Sequence, residues 1–187
     1  MQELIGFIKK YSKGLDKDAE FALRKYSEFE SYKKNDFILS QGQYCNKVWF
    51  VKSGLIRRFY IEDGKEITIW IFCENELFTS MFSYFQKKPS HEFIQACEDS
   101  ELISMSRTNS EKLNKYPQIE LFSRLHLEEQ IAKIDIVSKK LTLMKTKERY
   151  DTFKEMAPSV FKRAKLGHIA SILGVSQETL SRIRAKK

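Results

Sequence analysis

Short runs rich in β-branched and aromatic residues fill positions 37–106 and constrain the fold more than any other feature of the chain. The runs are FILSQ, KVWFVKSG, LIRRFYIEDG, KEITIWIF, EFIQA and ELISMS. Turn-forming residues bound them, as is typical of short antiparallel strands. Asp63-Gly64 is a signal for a tight hairpin, and we expect Gly42 and Gly54 to supply positive φ angles between strands. The pattern predicts a small antiparallel β-barrel or β-roll.

Helical spacing of apolar residues precedes and follows these runs. Residues 3–30 predict two short helices with a break near Gly14, and the second helix reaches Phe29. After Pro117 the helical pattern continues without Pro or Gly to about residue 156. This stretch is too long for one average globular helix, so it is expected to pack against a partner.

One seam within the long helical stretch has the spacing of a coiled coil. Its residues are 4, 3, 4 and 3 positions apart, at Leu127, Ile131, Ile134, Ser138 and Leu141. This spacing predicts a homodimer interface formed by Leu127, Ile131, Ile134 and Leu141. The alternative is an ordinary amphipathic helix that lies on its own roll.

The positive charge of the chain is concentrated at one end. The formal net charge is +8, yet residues 1–132 hold 19 Lys and Arg against 20 Asp and Glu. Residues 133–187 hold 14 against 5. Such an asymmetry indicates a polyanionic partner, most commonly nucleic acid, for the C-terminal part. A basic surface that only aids solubility is the alternative.

Residues 166–184, LGHIASILGVSQETLSRIR, carry the sharpest motif. A small residue (Ala170) where two helices cross, a glycine (Gly174) between them and apolar residues at core spacing predict a helix-turn-helix. Ser176 is expected to cap the second helix. Outward Arg, Gln and Glu side chains can read guanine, adenine and cytosine. The predicted DNA-binding residues are Ser176, Gln177, Glu178, Thr179, Ser181, Arg182, Arg184 and Lys165. An ordinary helical hairpin is the alternative.

The order of these parts resembles the Crp/Fnr family of bacterial transcription regulators over nearly the whole chain. The local matches are VWFVKSGLIRRFYIEDGKEITIWIF and IASILGVSQETLSRIR. The resemblance implies an α+β fold: an antiparallel, cupin-like β-roll of the cyclic-nucleotide-binding type with flanking helices, a long dimerisation helix and a winged-type helix-turn-helix. It divides the chain into a sensor roll (1–116), a long helix and linker (117–146) and a DNA-binding domain (147–187).

The resemblance also implies what the protein binds. The expected partners are a second copy of the chain, a pseudo-palindromic operator in double-stranded DNA and RNA polymerase. The family's base-reading positions fall on Gln177, Glu178 and Arg182. Gln177 stands where the family commonly has Arg, so the operator is expected to differ from the usual one.

The expected effector pocket departs from the family pattern. Cyclic-nucleotide binders have a Gly-Glu pair where this chain has Thr79 and Ser80, and an Arg where it has Ser90. Without that Arg a cyclic phosphate loses its bidentate anchor, although Lys87, Lys88 or His91 offer a substitute. We therefore predict no cofactor and a sensor that does not bind cyclic AMP in the usual way, with an effector of unknown identity. The alternative is a cyclic-nucleotide-responsive activator with an altered phosphate cassette. The pocket residues are Glu76, Phe78, Thr79, Ser80, Ser90 and His91.

Other classes of function find little support. Cys45, Cys73 and Cys97 are far apart, which argues against a disulfide framework, a metal site or an iron–sulfur cluster. A haem ligand remains open among His91, His126 and His168, although lone histidines are usually structural. The alternative from another class of function is a small β-barrel enzyme or ligand carrier with a basic tail. The sequence contains no nucleophile elbow, no zinc motif and no phosphate-binding Gly-rich loop, and Glu74 and Glu76 are expected to be solvated. With no long apolar segment and no signal peptide, the chain is expected in the cytoplasm, away from membranes.

Overall fold

The computed structural model describes residues 1–12 and 14–185, apart from the side chains of residues 140–142. It is an α+β fold. The helices are α1 (Gln2–Lys9), α2 (Lys17–Tyr26), α3 (Met81–Gln86), α4 (Arg107–Leu113), α5 (Pro117–Leu143), α6 (Thr146–Met156), α7 (Pro158–Arg163), α8 (Leu166–Ile172) and α9 (Gln177–Ala185). The strands are β1 (Glu28–Tyr32), β2 (Phe37–Leu39), β3 (Lys47–Ser53), β4 (Ile56–Glu62), β5 (Lys65–Phe72), β6 (Leu77–Phe78), β7 (Phe93–Ala96) and β8 (Ser100–Ser106).

The strands form two four-stranded antiparallel sheets, as the strand runs predict. Their orders are β1-β8-β3-β6 and β2-β7-β4-β5. Alternation along β3 directs Trp49 and Val51 into the interior of the roll, while Phe50 points to the opposite side. There Phe50 packs with Ile103 and the apolar faces of α1 and α2, which cover this sheet. The roll therefore has an inner core and a second core beneath its N-terminal helices.

The turns predicted from glycine positions are confirmed. Asp63 and Gly64 have φ angles of 50° and 72°, and they join β4 to β5 in a hairpin. Gly54 has φ 112°, and a Cβ there would lie 2.1 Å from the Ser100 hydroxyl oxygen. Gly54 is therefore required both for its backbone angle and for the close approach of β8.

The second predicted helix is too long. Helix α2 ends at Tyr26, and Phe29 lies in β1, where it pairs with Ile103 of β8 and is 63% exposed. The apolar spacing of Phe29 fits both a helix and a strand. The strand is stabilised because the next residue, Glu30, faces the opposite side of the sheet and accepts hydrogen bonds from Trp49 and Ser104. Strand β6, which pairs with β3, has only two residues and was not predicted from the sequence.

The long helical stretch after Pro117 consists of two helices. Helix α5 ends at Leu143, and α6 begins after Lys145, whose backbone is extended (φ −67°, ψ 156°). The Glu148 carboxylate accepts the Lys145 backbone N–H at 3.0 Å, which caps the new helix. None of the described helices has the length and apolar character needed to cross a membrane.

The C-terminal helices pack on the second sheet through one shared core. Leu55 and Ile71 of the roll contribute to it, together with residues of α6 to α9. The fully or almost fully buried members from these helices and their connections are Val160, Ile169, Ala170, Leu173 and Leu180. Residues 144–185 contain no strand, so the wing expected from the family resemblance is not found in this part of the chain.

Candidate nucleic-acid interface

Helices α8 and α9 are joined by a tight connection at residues 173–176. Gly174 has φ 66°, in the left-handed region. Its N–H donates to the Ser171 carbonyl at 3.0 Å, and the Val175 N–H donates to the Ala170 carbonyl at 3.0 Å. These bonds satisfy the last carbonyls of α8. A glycine at this position thus allows the chain to leave α8 and begin α9 after a connection of four residues.

A small apolar core fixes the angle between the two helices. Ala170 and Leu180 are 2% and 0% exposed, and Ile169 and Leu173 are equally buried. Val175 and Ile183 pack against the same cluster. The helix pair therefore buries the positions that the motif assigns to its core.

The start of α9 is capped by Ser176. Its hydroxyl oxygen accepts the Thr179 backbone N–H at 3.2 Å and lies 3.2 Å from the Thr179 hydroxyl. A hydrogen bond from Ser176 and its own backbone N–H lower the pKa of the Glu178 carboxyl. A negative side chain here also complements the positive end of the helix.

All eight predicted DNA-binding residues are exposed on this helix pair or at its start. Seven belong to α9 or its cap, and Lys165 precedes the first residue of α8. A Cβ on Gly167 would lie 3.1 Å from the Gln177 side-chain oxygen, so the glycine leaves room for that side chain beside α8. The side chains of Gln177, Arg182 and Arg184 therefore point away from the shared core.

Helix α8 contacts the roll through a buried arginine that the sequence did not single out. Arg57 of β4 is 5% exposed, lies over the Phe59 ring and contacts three polar side chains. Its Nε and Nη2 donate to the Gln95 side-chain oxygen, its Nη1 pairs with Glu66 at 2.6 Å, and Nη1 lies 3.2 Å from His168 Nε2. Because arginine only donates, His168 Nε2 is the acceptor and the ring is neutral.

His168 is consequently a structural residue of the α8–roll contact. Burial, followed by the positive charges of Arg57 and Lys165, lowers its pKa to about 4. Its Nδ1 is buried without a hydrogen-bond partner. Ser171, one turn further along α8, donates its hydroxyl to the Thr68 carbonyl at 3.2 Å.

A second arginine ties α7 to the roll. Arg163 donates through Nη1 and Nη2 to the two carboxylate oxygens of Glu74, both at 2.8 Å, and it also pairs with Glu98. The Arg163 hydrogen bonds are the main reason that the pKa of Glu74 falls to about 2. Glu74 also accepts the Gly54 N–H. Bidentate geometry makes this contact directional, and Glu74 is a partner of Arg163 where a solvated carboxylate was expected.

In the segment expected to hold a cyclic phosphate, the polar side chains form hydrogen bonds within the protein. Ser80 and Ser90 are 1% and 2% exposed, and their hydroxyl oxygens are 3.2 Å apart. The Ser90 hydroxyl also donates to the Glu92 carbonyl. Thr79 donates to the Lys47 carbonyl, and Phe78 stacks on Trp49. These four predicted pocket residues therefore bond or pack within the protein.

The other two predicted pocket residues are engaged elsewhere. The Glu76 carboxylate accepts the Cys73 N–H at 2.7 Å, and burial raises its pKa. His91 is exposed and lies against the Phe82 ring, with centroids 4.7 Å apart. The interior of the roll instead holds Arg58 and the buried Glu92, 3.5 Å apart. The sequence contains no alternating pattern for this pair, because Arg58 follows another arginine in β4 and Glu92 precedes the first residue of β7.

The predicted dimer seam is exposed where it is described. Leu127, Ile131 and Ile134 are 37%, 65% and 61% exposed, and the side chain of Leu141 lies outside the described residues. His126, one residue before the seam, packs between Phe7 and Phe122. The three cysteines are free thiols, and the described residues contain no group of three or more metal-ligating side chains.

Comparison with known proteins defines the class of the roll. Residues 29–115 match the family model of the cyclic nucleotide-binding domain. No curated protein sequence matches the chain. Solved structures match the chain at low sequence identity, and these matches show its fold.

Three solved structures cover most of the chain. The c-di-GMP-responsive regulator CLP of Xanthomonas campestris matches with a TM-score of 0.71, 15% identity and 91% of each chain covered. The catabolite activator protein of Thermus thermophilus matches with a TM-score of 0.57 and 22% identity, and the match covers 92% of this chain and 84% of that protein. A Crp/Fnr-family protein from Eubacterium rectale matches with a TM-score of 0.66 and 15% identity, and the match covers 92% of this chain and 83% of that protein. The chain thus has the fold of these regulators, and its roll matches the cyclic nucleotide-binding domain, as the resemblance to the Crp/Fnr family predicts.

Proposed function

We propose that the chain is a sequence-specific, DNA-binding transcription regulator of the Crp/Fnr type in which α8 and α9 form a helix-turn-helix. The observation that carries the proposal is the surface of α9, where Gln177, Glu178, Ser181, Arg182 and Arg184 are exposed over a closed apolar core. Two long cations and an amide on one short helix suit phosphates and base edges in a major groove.

The charge distribution supports the same partner. The excess of Lys and Arg after residue 132 provides the electrostatic attraction on which DNA affinity largely depends. We propose that residues 147–187 are the DNA-binding domain, that 117–146 join two copies into a dimer, and that 1–116 are the sensor. The exposed Leu127, Ile131 and Ile134 support the dimer, because solvent-exposed isoleucines along one seam favour burial.

A dimer implies an operator with two half-sites. Two copies of α9 would enter successive major grooves roughly 34 Å apart, so the operator is a pseudo-palindrome. The Crp/Fnr resemblance adds RNA polymerase as a further partner and the cytoplasm as the compartment.

We also propose that the roll does not bind cyclic nucleotides in the usual way. The Ser80–Ser90 contact and the absence of an arginine at position 90 support this, because a cyclic phosphate needs a strong donor. The family match of residues 29–115 favours the competing function, a cyclic-nucleotide-responsive activator. Calorimetric titration with cyclic AMP and cyclic GMP separates the two, since saturable heat would support the activator.

The experiment for DNA binding is selection of bound sequences from random duplex DNA. We expect enrichment of an inverted repeat with half-sites about one helical turn apart. Arg182→Ala should lose preference at one position of each half-site, whereas Arg124→Ala, which removes an exposed arginine from α5, should select the same sequence. If neither the purified protein nor the protein supplemented with cell extract enriches any sequence, the proposal fails.

A further inference from the structure

A cleft lies where the roll, the long helix and the C-terminal helices meet. Its volume is about 70 Å³, and eight of its ten lining residues are apolar. They come from β5, α5, α6 and α8 and from the connections that follow α5 and α8. Among the lining residues are Trp70 of β5, Val137 of α5, Arg149 and Phe153 of α6, and Ile172 at the end of α8.

The one charged residue of the cleft has few partners. Arg149 Nε is buried and donates no hydrogen bond, and Nη2 reaches only the Thr146 hydroxyl, at 3.5 Å. Nη1 lies 3.6 Å from the position of a Cβ on Gly174, in the turn between α8 and α9. Among the described residues, no carboxylate lies within ion-pair distance of Arg149.

Buried guanidinium groups are normally matched by carboxylates or other anions. Even the exposed Arg163, 14 positions further on, has two carboxylate partners. Arg149 faces an apolar cleft without one. An anion that brings its own apolar group would supply the missing acceptor and cover the exposed apolar lining in the same event.

From this cleft we infer a binding site for a small aliphatic carboxylate, with the carboxylate on Arg149 and the alkyl chain against Trp70 and Ile172. The size of the cleft sets the length of the chain. A cavity of about 150 Å³ accommodates a benzene ring, so a cleft of about 70 Å³ takes a short alkyl chain. A nucleotide base is too large for it.

The position of the cleft gives the ligand a regulatory consequence. A bound chain would touch β5, α5 and the end of α8, and thereby change how the α8–α9 pair sits against the roll. This consequence for DNA rests on the proposed function, whereas binding of the carboxylate does not.

The test uses the intrinsic fluorescence of the purified full chain. Trp70 lines the cleft, and the other tryptophan, Trp49, is buried in the roll against Phe78. Butyrate should change the emission saturably, with half-saturation at or below about 10 mM. Butyramide, which has the same shape without the charge, should bind at least tenfold more weakly at matched ionic strength. Trp70→Phe should abolish the signal.

Variants of α6 test the role of the guanidinium. Arg149→Gln should remove the preference for butyrate over butyramide, while Lys147→Gln, the loss of an exposed cation on the same helix, should preserve it. Circular dichroism confirms folding, and Arg149→Lys should bind with intermediate affinity because it keeps the charge without the planar fork. The inference is overturned if unmodified protein gives no saturable change with butyrate, or binds butyrate and butyramide equally. DNA selection is measured separately, so either idea can fail alone.

Discussion

Acidification is expected to weaken the contact of α8 with the roll through His168. Its pKa is about 4 in the folded protein, against 6.5 for an unperturbed histidine. Between these values the unfolded chain binds a proton that the folded chain does not. The contribution of His168 to stability is therefore fully present above pH 6.5 and is lost as the pH falls from 6.5 towards 4.

The size of this effect follows from the shift. Lowering the pH from 7 to 5 passes through about 1.5 pH units below the unfolded pKa of 6.5, which corresponds to about 2 kcal/mol at about 1.4 kcal/mol per unit. His168 is only half-buried, so solvent screening reduces the expected loss to about 1 kcal/mol. The physical origin is burial of the ring next to Arg57 and Lys165, which Glu66 offsets only in part.

Chemical denaturation at pH 7 and pH 5 measures the loss. His168→Gln provides the comparison, because glutamine accepts the Arg57 hydrogen bond and does not titrate. His126, whose pKa is lowered by burial, contributes equally to both proteins and cancels in the difference. The loss on acidification should be about 1 kcal/mol smaller in the variant. An equal loss in both proteins would refute the assigned role of His168.

Further predictions concern the helix pair and the seam. Arg182→Ala should cost about 1–3 kcal/mol on the selected operator and relax one base preference, while Arg184→Ala should weaken binding to all sequences evenly; gel-shift titrations on selected and random duplexes distinguish them. Leu180→Ala should destabilise the protein by about 2–5 kcal/mol, because Leu180 is fully buried between α9 and the roll-facing core, and thermal unfolding should register the loss. Ile131→Asp should shift the mass measured by light scattering from dimer to monomer, and an unchanged mass would contradict the proposed seam.

Local signals made much of the fold predictable. The hairpin could be predicted from Asp63-Gly64 alone, because this pair favours a tight turn. The cap of α9 could be predicted from Ser176, because its partner Thr179 is only three residues away. The break before α6 had a local cause as well, since Glu148 lies three residues after Lys145. It was missed because the uninterrupted helical pattern outweighed a single capping contact. Phe29 was missed because its spacing suits a helix and a strand equally.

Contacts between distant residues could not be predicted from spacing. Arg57 and His168 are 111 positions apart, and nothing in either neighbourhood indicates that a β-strand arginine meets a helix histidine. Arg163 and Glu74 are 89 positions apart, and only the packing of the C-terminal helices on the roll brings them together. The Ser80–Ser90 hydrogen bond is the intermediate case: the sequence identified both residues as departures from a phosphate site, and the fold then determines that they bond to each other.

The measurement that tests the central claim most directly is the affinity of the unmodified protein for a selected duplex and for a random duplex of equal length, across salt concentration. Sequence-specific reading by α9 predicts a preference of about 10³ or more for the selected duplex at physiological salt. Both affinities should also fall steeply as salt rises, by close to one unit of logarithmic slope per phosphate contact. Equal affinity for the two duplexes at every salt concentration would mean that the basic C-terminal part binds DNA only as a polyanion, and would contradict the account.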